Sequence, residues 1–153
     1  AIRREANVID LLESCLDFYR NNEEDVKIEF RCHLHEKKAF VLLDKDQMLR
    51  VFNNIIRNAV QSIPTDREGK ILIELKETEL KYIISVLDNG VGIPENIRDN
   101  IFSPNFTTKN SGMGLGLAMT KTILENMDGS IYFDTDQTEG TTFYIELNKL
   151  TVI

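Results

Sequence analysis

The sequence predicts an α+β domain with a largely antiparallel sheet and its helices on one face. Three observations carry that reading. Strand-like segments come in adjacent pairs, helix-like segments separate the pairs, and each segment repeats its apolar residues at a period that buries one side. A chain of 153 residues fits one domain, 1–153, and can bury a core without disulfides or metals.

Val8, Leu11, Leu12, Cys15, Leu16 and Tyr19 recur at helical spacing, so residues 7–20 read as an amphipathic helix. The run Asn21 to Asp25 breaks it. Val26, Ile28, Phe30 and Cys32 alternate with Lys27, Glu29, Arg31 and His33, the pattern of a half-buried strand. Residues 39–43 make a second short strand after a polar turn. Asp44 stands where an N-cap belongs, and Gln47 three positions on completes a capping pattern. The helix this opens runs to about Ile63, before Pro64, with Met48, Phe52, Ile55, Ile56 and Ala59 as its apolar face. Ile71, Ile73 and Leu75 alternate, as do Ile84 and Val86, and residues 78–81 join these strands in a hairpin that ends at Asp88. Residues 94–114 lack periodicity and are too long for an idle connector; such loops are usually lids or binding loops. Leu115–Met127 reads as a helix, and a final hairpin turns around Thr138-Glu139-Gly140.

The net charge of −7 argues against a polyanion-binding surface, so no nucleic-acid partner is expected. Any phosphate must be held locally, by backbone N–H groups, a metal or a few cations. No apolar run approaches the roughly 20 residues that span a bilayer, and the start Ala1-Ile2-Arg3-Arg4-Glu5 is no signal peptide, so direct membrane contact is not expected. Cys15 and Cys32 match no zinc or redox spacing and read as reduced, partly buried thiols, which points to a cytoplasmic location. The chain starts without Met inside a helix-like pattern, and is expected to be a fragment.

Four segments carry the chemistry. Asn54, Asn58 and Gln61, spaced by four and three, share one helix face roughly opposite the apolar stripe. That face is either solvated or a row of amides looking into a polar cleft, where an Asn carbonyl can give Mg²⁺ one oxygen. Asp88 ends an apolar strand and opens Asn89-Gly90-Val91-Gly92-Ile93. It is either a turn acid or a carboxylate that accepts from the amino group of a base. Adenine offers such hydrogens where guanine has an oxygen, so the second reading predicts discrimination. Gly90 and Gly92 would let the backbone approach a flat ring. Gly112, Gly114 and Gly116 lead into a helix whose free N–H groups suit phosphate oxygens, without the Lys-Ser/Thr of a P-loop. Lys109 offers a mobile charge, or is a solvated loop lysine. Phe102 and Phe106 anchor the loop to the body or a partner, or pack in the core. Gly140-Thr141-Thr142-Phe143 is hairpin chemistry or part of the site. His33 and His35 read as exposed strand histidines, since no third metal ligand presents itself.

Taken together, these segments strongly resemble the catalytic ATP-binding domain of bacterial sensor histidine kinases, within the ATPase superfamily that includes gyrase, Hsp90 and MutL. The family's N box resembles Asn54–Ile63, its G1 box Asp88–Ile93, its F box Phe102–Lys109 and its G2 box Gly112–Leu117. The resemblance implies a two-layer α/β sandwich of the Bergerat type, with ATP under a flexible lid. It implies Asn58 as the Mg²⁺-binding and catalytic amide, Asp88 as the adenine acid, and Gly90, Gly92 and Ile93 on the adenine side. Gly112, Gly114, Leu115, Gly116 and Leu117 would meet the phosphate side, with Asn54, Gln61, Phe102, Thr108 and Thr142 as further nucleotide contacts. Lys109 would be the second catalytic group, as a cation on the phosphates.

Three departures stand out. Gln61 replaces a common basic residue, although its pairing with Arg57 resembles the nitrogen-sensor type of kinase. Asn105 replaces an apolar F-box residue, and Met127-Asp128-Gly129 replaces His-Gly-Gly. In hydrolysing relatives a Glu stands at the position like Asn54; an amide is no general base, so slow ATP hydrolysis is expected and the γ-phosphoryl should pass to an imidazole. That imidazole would belong to a helical dimerisation module outside this chain, with residues 1–20 as a possible linker helix toward it. The expected partners are that module and a response regulator, the fragment being monomeric and its parent dimeric. The alternatives are a Ser/Thr kinase of the anti-sigma-factor branch, against which Phe106-Thr107-Thr108-Lys109 argues, and a nucleotide-gated interaction module.

Overall fold

A computed structural model describes residues 2–22, 25–104 and 113–150, with only the backbone of Met113–Leu115. In chain order the elements are β1 (Arg4–Asn7), α1 (Val8–Asn22), β2 (Val26–Cys32), β3 (Phe40–Leu43), α2 (Lys45–Gln61), β4 (Gly69–Glu77) and β5 (Lys81–Asp88). A 3-10 helix (Glu95–Asn100), α3 (Met113–Asn126), β6 (Ser130–Asp136) and β7 (Gly140–Asn148) follow. Five strands form one sheet in the order β2-β4-β5-β7-β6, and β1 pairs with β3 in a separate two-stranded sheet. Helices α1, α2 and α3 cover one face of the larger sheet, giving the two-layer α+β sandwich expected from the sequence.

The first two predicted strands do not pair with each other. β2 lies parallel to β4, with Ile28 opposite Ile71, while β3 runs antiparallel to β1. Parallel strands need a long crossover, and β3 with α2 provides it between β2 and β4. The remaining neighbours, β4–β5, β5–β7 and β7–β6, are antiparallel.

The core lies between the layers. Ile71, Ile73, Leu75, Ile84, Val86, Phe143, Ile145 and Leu147 of the sheet are buried in one cluster with Val51, Phe52, Ile55, Ile56 and Ala59 of α2. The α2 start is as the sequence predicts: Asp44 Oδ1 accepts from the Gln47 N–H at 3.1 Å. Helix α1 buries Leu11, Leu12, Leu16 and Tyr19, and Tyr19 Oη donates to Asn53 Oδ1 at 2.6 Å, tying α1 to α2. α1 is therefore part of the packed body.

Helix α3 begins two residues earlier than predicted, so Gly114 and Gly116 lie within its first turns. Its end is a Schellman turn: the Gly129 N–H donates to Leu124 C=O at 2.8 Å and the Asp128 N–H to Glu125 C=O at 3.1 Å. Asp128 takes the left-handed conformation there, at φ 59°, where a glycine is usual. Gly129 is required by space, because a Cβ would sit 2.8 Å from Glu146 C=O. The predicted long loop contains the 3-10 helix, and its part from 105 to 112 lies outside the described residues.

Candidate nucleotide site

Strand β5 delivers Asp88 to the inner face of the sheet, below α2 and beside β7. The carboxylate is 2% exposed. Its Oδ1 accepts from the Gly90 N–H at 2.8 Å and from the Thr141 N–H at 3.3 Å. The turn-acid reading of this residue thus holds for one oxygen. Burial pushes its pKa above the ordinary carboxylate value, against smaller opposing pulls from the Gly90 amide, the Ser62 hydroxyl and the Thr141 amide. Among the described residues no cation forms an ion pair with it.

The glycine turn serves the protein's own backbone. A Cβ on Gly90 would lie 2.1 Å from Ser62 Oγ and 2.6 Å from Ser62 C=O, at the C-cap of α2. Gly92 has φ +75°, and a Cβ there would sit 2.6 Å from Asp136 C=O. Close packing of the turn on α2 and on the β6–β7 connection therefore demands both glycines, whatever approaches the turn from outside. Ile93, next in the chain, is fully buried.

The amide row of α2 is not an open face. Asn54 is 5% and Asn58 4% exposed, because α2 packs on α3 as well as on the sheet. Asn54 Nδ2 donates to Gly116 C=O and to Thr120 Oγ1, both at 3.4 Å, and its Oδ1 accepts from Arg57 Nη2 at 3.1 Å. The Asn54 amide bridges two helices. Asn58 Nδ2 is buried without a hydrogen-bond partner, the one such side-chain atom among the described residues. An unpaired buried donor is costly and marks a place where an acceptor fits. Gln61 is exposed at the end of α2 and does not join the two asparagines in the interior.

Gly116 approaches α2 closely, with a Cβ there 3.2 Å from Asn54 Cγ. Leu117 beside it is fully buried. The first N–H groups of a helix have no intrahelical partner, which makes the start of α3 at Met113 suited to anionic oxygen. Phe102 packs on the body, its ring 5.9 Å from Phe133 and 6.5 Å from Phe143, with Lys121 Nζ 5.6 Å over it. Phe106, Thr108, Lys109 and Gly112 lie outside the described residues, and so does the side chain of Leu115.

Thr142 does not share a sheet face with Asp88. Asp88 faces Thr141 across the β5–β7 ladder, whereas Thr142 faces the exposed Leu87. Thr142 is therefore on the outer face of the sheet, and the buried Thr141 shares the face of Asp88. Counting back by twos from Phe143, an inward residue, gives this answer from sequence alone. Thr120, Thr135 and Arg98 also enter this region and were not singled out by the sequence; none of them belongs to a motif. His33 Nε2 lies 2.6 Å from Glu74 Oε2 at the surface, remote from Asp88.

Residues 43–151 match the model of the family described as histidine kinase-, DNA gyrase B-, and HSP90-like ATPase. Sporulation kinase A of Bacillus subtilis is 38% identical over 122 residues, 80% of this chain and 20% of that protein. Sensor histidine kinase ZraS of Salmonella typhi is 33% identical over 142 residues, 92% of this chain and 30% of that protein. The chain thus spans 20% to 30% of the length of these curated relatives. The catalytic domain of histidine kinase ThkA superposes with a TM-score of 0.85 at 26% identity, covering 97% of this chain and 99% of that one. ThkA in complex with the response regulator TrrA gives a TM-score of 0.78, at 26% identity over 97% of this chain and 42% of that one.

Proposed function

The chain belongs to the histidine kinase-, DNA gyrase B- and HSP90-like ATPase family, and on that premise we propose that it binds Mg-ATP and donates the γ-phosphoryl group to a histidine of a separate helical module. The observation that carries this reading is Asp88: a carboxylate 2% exposed, satisfied on one oxygen by backbone amides and lacking a cation among the described residues. A buried acid of that kind suits a ligand amine, and adenine N6 is one.

Asn58 fits the phosphate end. Its unpartnered Nδ2 matches an acceptor such as a phosphate oxygen or water, and its Oδ1 is the atom that would hold Mg²⁺. Mg²⁺ bound there would supply charge neutralisation on the phosphates. The N–H groups at the start of α3 would take phosphate oxygens, and Lys109 is the proposed further cation. Asn54 is engaged with Arg57, Gly116 and Thr120, and an amide so used neither activates water nor binds metal. Phosphoryl transfer would then depend on bringing an imidazole in line, which favours a kinase over a hydrolase.

The whole protein would be a sensor kinase, dimeric through its helical module and paired with a response regulator as ThkA is with TrrA. No described helix is long and apolar enough to cross a membrane; a cytoplasmic site of action is part of the proposal. Calorimetry of the purified chain with Mg-ATP tests the binding step, and incubation with a histidine-bearing helical module and labelled ATP tests transfer. Asn58→Ala should abolish transfer while moving the melting temperature by no more than about 2–4 °C, since its Nδ2 has no hydrogen-bond partner to lose among the described residues. Full transfer by that variant would reject the metal role.

A further inference from the structure

Ile93 is 1% exposed, and its two peptide groups are held by side chains from different parts of the chain. Its N–H donates to Thr135 Oγ1 of β6 at 2.9 Å. Its C=O accepts from Arg98 Nε of the 3-10 helix at 2.9 Å. Thr135 Oγ1 in turn lies 2.8 Å from Thr141 Oγ1, and the Thr141 N–H donates to Asp88 Oδ1. The path from Asp88 through Thr141 and Thr135 to Ile93 closes a ring around the glycine turn. No strand ladder holds Ile93, so these two side chains are what satisfy its buried backbone.

We infer that Thr135 and Arg98 are positioning residues for the nucleotide base. By clamping the peptide groups of Ile93 they fix the turn 90–93 at a set distance from the Asp88 carboxylate, and so govern adenine affinity and the preference for adenine over guanine. The inference rests on the proposal that Asp88 and this turn receive a base. Freed from either clamp, the turn samples arrangements in which its N–H or C=O finds water, and ligand affinity falls in proportion to the fraction of time the competent arrangement is lost.

The test compares the unsubstituted chain with Thr135→Val, Thr135→Ser and Arg98→Met by Mg-ATP and Mg-GTP calorimetry, together with hydrogen exchange at the Ile93 amide. Thr135→Val and Arg98→Met should each weaken ATP binding roughly tenfold and narrow the ATP-to-GTP ratio, the scale of one buried backbone group left unpaired. Thr135→Ser keeps the hydroxyl and should stay within about twofold of the parent. Ile93 exchange should quicken in Thr135→Val and recover in Thr135→Ser. Faster exchange with unchanged ATP affinity and base preference would overturn the inference and leave a merely structural contact. If the unsubstituted chain binds no ATP, the nucleotide reading itself fails and takes the clamp with it. Should Thr135→Val not fold, Arg98→Met, at a half-buried position, decides the matter by the same two readouts.

Discussion

Replacing Asp88 by Asn should separate stability from ligand recognition. Burial raises the Asp88 pKa above its ordinary value of 3.8, so the fold favours the neutral acid. The stability this group contributes is complete below 3.8 and is lost as pH rises through its raised folded value. At pH 7 the ionised group therefore costs stability, and a neutral amide removes that cost. The apo variant should be as stable as the parent or more so, by up to about 1–2 kcal/mol, as is common where a functional group is held at the expense of the fold. Recognition should move the other way. Because Oδ1 takes the N–H groups of Gly90 and Thr141, the amide oxygen of Asn must occupy that place, and its NH₂ is left facing the site. Donor would then meet donor at adenine N6, weakening ATP by roughly 2–3 kcal/mol, on the order of a hundredfold. Guanine O6 would be matched instead, so the ATP-to-GTP ratio should fall further than ATP affinity lost alone. Thermal melts of the apo protein at pH 7 and pH 5, with calorimetry for both nucleotides, check each part. A variant several degrees less stable that still binds ATP normally would refute the reasoning.

Two further outcomes follow from packing. Gly90→Ala forces a Cβ to 2.6 Å from Ser62 C=O at the end of α2, and should cost about 2–3 kcal/mol or more in a denaturant melt, whatever the ligand. A mild loss would mean that the turn can move off α2. Cys15 is buried and its thiol is pushed up to about 11 by desolvation, so a thiol reagent at pH 8 should label Cys32 first and reach Cys15 only on unfolding; equal labelling rates would contradict the α1 packing.

The elements legible in the sequence were those with a local signature. Helix α1 shows its period, α2 its Asp44 cap, and the β4–β5 and β6–β7 hairpins their alternation and turns. Strand β1 was not legible, because Arg4–Asn7 has no alternation and exists by pairing with β3. The β2–β4 partnership was missed for a similar reason: a strand's own pattern says which face is buried, not which neighbour it takes. For the candidate site, the place of Asp88 at the end of a strand was legible from residue type and pattern. The burial of Asn54 and Asn58 was not, since one apolar stripe implies one covered face while α2 has α3 against its polar side as well. The clamps on Ile93 come from Thr135, 42 residues away, and from a half-buried Arg98 with no motif around it.

The parallel pairing of β2 with β4 has a bearing on where this domain can be cut. The family match starts at residue 43, after β1, α1, β2 and nearly all of β3. A piece trimmed to that boundary would leave seven residues of β4 with an open edge and strip α2 of helix α1, which packs on it and is tied to it by Tyr19 and Asn53. The homologous stretch and the smallest body able to stand alone are thus different lengths of chain, and expression fragments designed from the former would be sticky.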